Sequence, residues 1–327
     1  MKKRLFSIIL AGTLILSMAA CTQAPKGDEK ETKPATSKTQ VVSVTDAEGK
    51  PINVEFPTDI KKVVALNWAT VDFLKSVGKE DLIVGCLDSS ASTPEHLKDI
   101  AEKEGMVSVG GMKDPDMEAI MSLQPDIIFT SDRIEKMYNE FTKIAPTMCS
   151  YIDYSKGFMT GYKELANKHA TIFGVGDEVD ATIKGYEDRI ADIAKFAGDQ
   201  TCLLGIFAGG INTLGNEGRA SVIVNEMGFN NLQLENVNHG NISSYEAWLE
   251  MNPDWMFVLD KDTAVGTEAV AAKEQMEVNN PVIAETDAFK NDQIVYLEPG
   301  SAWYVADGGI TSLDLMIDCI EKGIGLK

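Results

Sequence analysis

From Val63 onward, short apolar or β-branched runs alternate with stretches in which apolar residues recur every three or four positions. Val63 to Leu66 precedes helix-period residues from Thr70 to Val77, and Leu82 to Val84 precedes Pro94 to Glu104. This alternation predicts an α/β fold of two lobes, each with a mostly parallel sheet flanked by helices. Ahead of it, Val41 to Val44 and Ile52 to Phe56 flank Asp46-Ala47-Glu48-Gly49 and predict a hairpin. Val179, Ile183, Tyr186, Ile190 and Ile193 are spaced by threes and fours, so 176–197 is expected to be one stiff helix, roughly 30 Å long at about 1.5 Å per residue. It would join an N-terminal lobe over 41–175 to a C-terminal lobe over 198–327.

An internal repeat supports two similar halves. Glu118-Ala119, Leu123-Gln124-Pro125-Asp126-Ile127-Ile128-Phe129 and Asp132-Arg133 recur 128 residues later as Glu246-Ala247, Met251-Asn252-Pro253-Asp254-Trp255-Met256-Phe257 and Asp260-Lys261. Each copy reads as a helix, a Pro-Asp turn, a buried strand and a cation beyond the strand end. Ligands of open α/β sheets bind outside the carboxyl ends of strands, so Arg133 and Lys261 are expected to face one cleft. Arg219 follows the strand 201–207 and the turn Ala208-Gly209-Gly210, and is a third candidate. The glycines there predict a tight hairpin, because neither GxGxxG nor a Gly-Lys-Ser/Thr ending is present. The expectation is a cationic cleft in an anionic protein.

The first twenty residues change the picture. Met1-Lys2-Lys3-Arg4 and the apolar run to Ala20 read as a signal peptide, and Met18-Ala19-Ala20-Cys21 resembles a bacterial lipobox, which implies cleavage before Cys21 and lipid on its sulfur. Residues 22–40 hold no large apolar side chain and read as a solvated tether. The expected location is therefore extracytoplasmic, with contact to the cell membrane through the lipid alone. An apolar content of 44% over 327 residues excludes disorder for the bulk, and a net charge of −20 argues against nucleic acid as a partner. Three histidines, His96, His169 and His239, are too few for a histidine-rich metal site. Cys86, Cys149, Cys202 and Cys319 fit no metal or redox spacing; they read mainly as buried thiols, with disulfides left open.

Trp303 and Tyr304, after the strand 294–297, and Asn67 and Trp68, after the strand 63–66, are candidate ligand contacts with core packing as the equal alternative. His239 lies in a polar loop and on its own reads as solvated. No Gly-x-Ser-x-Gly, His-Glu-x-x-His, Cys-x-x-Cys or P-loop appears, so no residue is nominated for catalysis.

Taken together, the lipobox, VVALNWATVDFLKSVG from Val63, both Pro-Asp repeats, GINTLGNEGR with Met227-Gly228-Phe229, HGNISSYEAWLEMNPDWMFVLDKD and YLEPGSAWYVADGG resemble the substrate-binding lipoproteins of ABC importers that have a helical backbone. The likeness spans 41–327 and is greatest to the ferric-siderophore binders, particularly those for catecholates. The resemblance implies a monomer without an intrinsic cofactor that carries a ferric siderophore to an ABC permease. It assigns Arg133, Arg219 and Lys261 to a positive triad around a tri-anionic ferric catecholate. His239 and Tyr304 match residues able to coordinate iron when a siderophore offers four donors, and Glu118 and Glu246 match acids that dock onto the permease. Lys261 departs from the usual arginine, keeping the charge but losing the planar fork. A haem or cobalamin binder of the same fold is the alternative, and a lipoprotein enzyme or adhesion module a more distant one.

Overall fold

Strand β1 (Thr39–Thr45) alternates, with Val42 and Val44 buried and Val41 exposed, so one face must be covered. It pairs antiparallel with β2 (Pro51–Pro57), Thr39 opposite Pro57 and Thr45 opposite Pro51. The covering element is the Phe158–Phe173 helix, and Gln40 Nε2 donates to the Ile172 carbonyl at 2.8 Å. These elements belong to a computed structural model that describes residues 38–46, 49–90, 92–233, 241–242, 244–267 and 270–327. Residues 1–37, which hold the expected signal peptide, Cys21 and nearly all of the expected tether, lie outside them.

Strands buried on both faces make two sheets. The first contains β3 (Val63–Ala65), β4 (Ile83–Cys86), β5 (Val107–Ser108), β6 (Ile127–Thr130) and β7 (Thr147–Cys149) in the order β5-β4-β3-β6-β7, all parallel. All four residues of β6 are buried, as a parallel strand covered by helices requires. The second contains β8 (Thr201–Phe207), β9 (Ile211–Leu214), β10 (Asn230–Asn231), β11 (Asn241–Ile242), β12 (Trp255–Asp260) and β13 (Ile294–Tyr296). Its order is β11-β9-β8-β12-β13, with β10 beside the start of β8. Strands β8, β12 and β13 are parallel, whereas the glycine turn makes β8–β9 an antiparallel hairpin that β11 extends. The fold is thus α/β with parallel sheets flanked by helices, carrying an antiparallel edge on the second.

The repeat is one device used twice. Asp116 accepts from the Glu118 and Ala119 amides to start the Met117–Leu123 helix, and Ser244 accepts from Ala247 N to start the Tyr245–Met251 helix. Both helices end on a left-handed residue, Gln124 (φ 49°) and Asn252 (φ 40°). The aspartate of each Pro-Asp turn then ties the adjoining strand. Asp126 Oδ2 accepts from the Lys61 and Lys62 amides at 2.7 and 2.9 Å, and Asp254 Oδ2 accepts from Thr201 N and Oγ1, both at 2.7 Å. By contrast, 94–104 is not one helix: a 3-10 turn (Glu95–Leu97) breaks it from the short Lys98–Ala101 helix.

The halves meet at the Ile310–Gly323 helix, which packs on the Trp68–Ser76 helix of the first half and on the Gly176–Ala197 helix. Asp72, fully buried, accepts from Thr311 N (2.8 Å), Ser312 N (2.8 Å) and Ser312 Oγ (2.6 Å), and lies 3.0 Å from His96 Nε2. Its carboxylate therefore fills the positive N-terminus of a helix from the other half. The approach leaves no room for a side chain, since a Cβ on Gly309 would sit 2.2 Å from Asp72 Oδ2 and one on Gly308 2.8 Å from Leu165 Cδ2. Arg189 fastens the opposite side, its guanidinium reaching Asp314, Asp318 and Glu321 at 2.5 Å each. The described residues all fall in one compact unit.

Two consequences are measurable. Gly309→Ala must push Asp72 off the helix end, and is expected to lower unfolding free energy by about 2–3 kcal/mol in urea titrations; an unchanged midpoint would contradict the contact. His169 is buried between Phe73 and Phe129, its Nδ1 3.0 Å from the Leu165 carbonyl and its Nε2 within 3.2 Å of the Thr70 and Ser150 hydroxyls. Burial pushes it down from 6.5 to about 4, against the pull of the Leu165 carbonyl. The unfolded chain then takes up a proton that the folded chain refuses. Stability should fall by roughly 3 kcal/mol as pH drops from about 6.5 to about 4, and the slope should flatten in His169→Gln. An equal slope in that variant would assign the acid sensitivity elsewhere.

Candidate functional site

A cavity of about 720 Å³ opens beyond the ends of β3, β6 and β7 of the first sheet and is lined on its other side by Arg219 and the segment 304–308. Leu66 and Asn67 come from the end of β3, Ser131 to Arg133 from β6, and Ser150 to Tyr154 from β7. Arg219 comes from the turn after β9, and Tyr304 to Gly308 from the segment after β13. Asn67 is held rigid, its Oδ1 accepting from Thr70 N (2.8 Å) and its Nδ2 donating to the Thr130 carbonyl (3.0 Å). Arg219 stands between two left-handed residues, Gly218 (φ 82°) and Ala220 (φ 63°), so the backbone pays locally to fix where its side chain starts.

Two guanidiniums converge on one ring. The Arg219 Cζ lies 4.5 Å from the centroid of Tyr304 and the Arg133 Cζ 5.9 Å from it. Contacts of this kind are worth about 0.5–2 kcal/mol, more where water is excluded. Among the described residues neither arginine has a carboxylate within ion-pair distance, and the buried Arg219 Nε has no hydrogen-bond partner. Asp307 accepts a short hydrogen bond from the Tyr154 hydroxyl. Burial pushes the Asp307 carboxyl above the usual carboxylate range, opposed by Arg219 and that hydroxyl. For Arg219 burial works downward, but Asp307, Tyr154, Tyr304 and Asp132 hold it above its ordinary value. Burial, reinforced by Asp307, likewise drives the Tyr154 hydroxyl well up, so it stays protonated and donates.

The expectation of a cationic cleft needs correction. Among the described residues the wall carries Arg133, Lys136 and Arg219 against Asp132, Glu135, Asp153 and Asp307. The wall is mixed, and positive charge is concentrated where the two arginines meet Tyr304.

Lys261 is also displaced from its expected place. It opens the short Lys261–Ala264 helix, which Asp260 caps by accepting from Thr263 N, and it is not among the described residues lining the cavity. Asp260, Thr263 and Ala264 instead line a different hollow of about 890 Å³, because the chain turns away after β12. The two tryptophans are core residues. Trp68 is 1% exposed and Trp303 0%, since residues 300–304 form a helix that turns Trp303 inward and leaves Tyr304 on the cavity. His239 lies outside the described residues. Glu118 and Glu246 are exposed on the first turns of the two repeated helices. Cys86, Cys149, Cys202 and Cys319 are free thiols, and no cluster suited to a metal ion occurs among the described residues. Tyr154 and Asp307 were not foreseen. The strand-end position of Tyr154 was a usable signal, whereas Asp307 is placed only by the packing of Gly308 and Gly309.

Residues 63–300 match the family of periplasmic binding proteins, and the chain belongs to that family. Among curated proteins it is similar to the petrobactin-binding protein YclQ of Bacillus subtilis (strain 168), 28% identical over 325 residues covering 98% of each chain. It is also similar to the ferric-anguibactin-binding protein FatB of Vibrio anguillarum (strain ATCC 68554 / 775), 25% identical over 80% of this chain and 82% of that one. Among solved structures, the periplasmic catecholate-siderophore binding protein VctP from Vibrio cholerae superposes with a TM-score of 0.77 at 25% identity, over 86% of this chain and 100% of the other. These relatives are binding proteins rather than enzymes.

The burial of the tryptophans gives a direct check. Trp68→Phe and Trp303→Phe should each cost about 1–3 kcal/mol of stability in denaturant titrations and leave ligand affinity within about twofold. A selective loss of affinity at full stability would return either ring to the site.

Proposed function

We propose that this chain is an extracytoplasmic substrate-binding lipoprotein that captures a ferric siderophore and presents it to an ABC permease. The observation that carries the reading is the pair of guanidiniums, Arg133 and Arg219, with no ion-pair partner among the described residues and with Tyr304 between them on one cavity wall. A ferric tris-catecholate bears about three negative charges on a rigid, ring-rich surface. Two arginines in a partly dehydrated cleft attract it more strongly than in bulk water, while the Tyr304 ring and the arginine planes offer stacking. The names of the relatives agree with a siderophore as the class of ligand. Catecholate is the ligand favoured here. Tyr304 offers a phenol that, with His239, would complete the coordination of a ferric ion left short of donors, and oxygen and imidazole suit that hard ion.

The remaining parts of the reading follow the sequence. Lipid on Cys21 would anchor a monomer, with 22–40 as a leash. The lobes are proposed as 41–175 and 198–327, joined by 176–197. Glu118 and Glu246, on equivalent exposed turns, would meet basic residues of the permease.

Titration of the protein with a hexadentate ferric tris-catecholate chelate, haem and cobalamin, followed by intrinsic fluorescence, tests this reading. The expected result is micromolar or tighter affinity for the chelate alone. Arg133→Ala and Arg219→Ala should each weaken it at least about tenfold, about 1.4 kcal/mol, with melting temperatures unchanged. Binding of haem or cobalamin without the chelate would overturn the ligand class.

A further inference from the structure

Two guanidiniums without an ion-pair partner among the described residues, in an open cavity, form a ready site for any small oxyanion, since one arginine can donate two parallel hydrogen bonds to phosphate or sulfate. Something in the wall must disfavour that outcome if a large chelate is to be the occupant. Asp307 is placed to do so. It lies on the cavity three residues after Tyr304, in the turn beyond the end of the 300–304 helix, half-buried, with its carboxylate accepting from Tyr154. The charged groups acting on it come from three other segments: Arg219 before the Ser221–Asn225 helix, Tyr154 after β7 and Asp132 after β6. Burial raises the Asp307 carboxyl above the usual carboxylate range, and Arg219 and the Tyr154 hydroxyl pull the other way. Asp307 is in turn the foremost of the groups that hold Arg219 charged.

We propose that Asp307, an acid on the same cavity wall as Arg219 and held by Tyr154, is the specificity-determining residue that disfavours small oxyanions and admits a larger anion that also covers Tyr304 and Arg133. The proposal rests on the reading of the cavity as an anionic-chelate site. Phosphate seated on Arg219 would share the cavity wall with the Asp307 carboxyl and has no ring to lay on Tyr304. A large chelate spreads its charge over both guanidiniums and the ring, so repulsion from Asp307 is a small part of its binding. Discrimination thus comes from a repulsive element that costs the wrong ligand more than the right one.

The test measures inorganic phosphate and the ferric tris-catecholate chelate separately, by direct calorimetry, on the wild type, Asp307→Asn, Asp307→Ser and Tyr154→Phe. Melting temperatures report folding, and the serine variant stands in if the asparagine one is misfolded. Phosphate should bind the neutral variants at least about tenfold more tightly than the wild type, while chelate affinity is retained or improved. Tyr154→Phe, which keeps the carboxylate, should still reject phosphate. Equal phosphate affinity in wild type and both neutral variants would overturn the proposal. So would a more than tenfold loss of chelate affinity in a stable Asp307 variant, which would make the carboxylate a direct contact instead. Failure of the wild type to bind the chelate at all would overturn the functional reading, independently of the phosphate result.

Discussion

A buried carboxylate holds the two halves in register. Asp72 comes from the helix that follows β3, yet its hydrogen bonds go to the first turn of the Ile310–Gly323 helix, some 240 residues later in the chain. A lone buried carboxylate would be costly; here three donors and a helix N-terminus offset the loss of water. The geometry depends on absent atoms as well, because a Cβ on Gly308 or Gly309 would collide with Leu165 or Asp72. Arg189 and its three acids brace the same helix from the Gly176–Ala197 side. The position of every cavity residue after β13 relative to those after β6 follows from this clamp. A stiff clamp of this kind favours small adjustments of the cleft over a wide hinge closure.

The proposed anion site lies in a chain of net charge −20. Bulk charge matters less than where the cations sit. Arg133 and Arg219 keep their hydrogen-bonding capacity because, among the described residues, no carboxylate lies within ion-pair distance of either, and Tyr304 presents its ring to both. The acids of the wall do not cancel this arrangement; they restrict it. A ligand must bring enough charge and surface to satisfy both guanidiniums at once, which separates a bulky iron chelate from the ions around it.

Much of the scaffold is legible in the sequence because it is periodic or repeated. The 3.6-residue pattern of 176–197 maps onto one helix, and the two Pro-Asp copies map onto short helices that each start on a capping side chain, Asp116 or Ser244, and end on a left-handed residue. Arg133 and Arg219 could be nominated because they follow strands. The failures have one physical cause, which is that a strand end fixes where a residue starts but not where its side chain goes. Lys261 occupies the repeat position of Arg133, yet the chain after β12 turns into a short capped helix facing another hollow. Trp303 and Tyr304 are adjacent, and the 300–304 helix sends one into the core and the other to the cavity. Asp307 owes its position to glycine contacts between segments far apart in sequence, which no local pattern encodes.

The central claim is that the clamp brings Arg133 and Arg219, one from each half, onto a single anionic chelate. A crystal structure of the protein with a ferric tris-catecholate chelate tests it most directly. The account predicts the chelate in the cavity at Tyr304, both guanidiniums within hydrogen-bonding distance of its oxygens, and the Asp72 contacts to Thr311 and Ser312 intact. A chelate held by one half alone, or seated away from Tyr304, would contradict it.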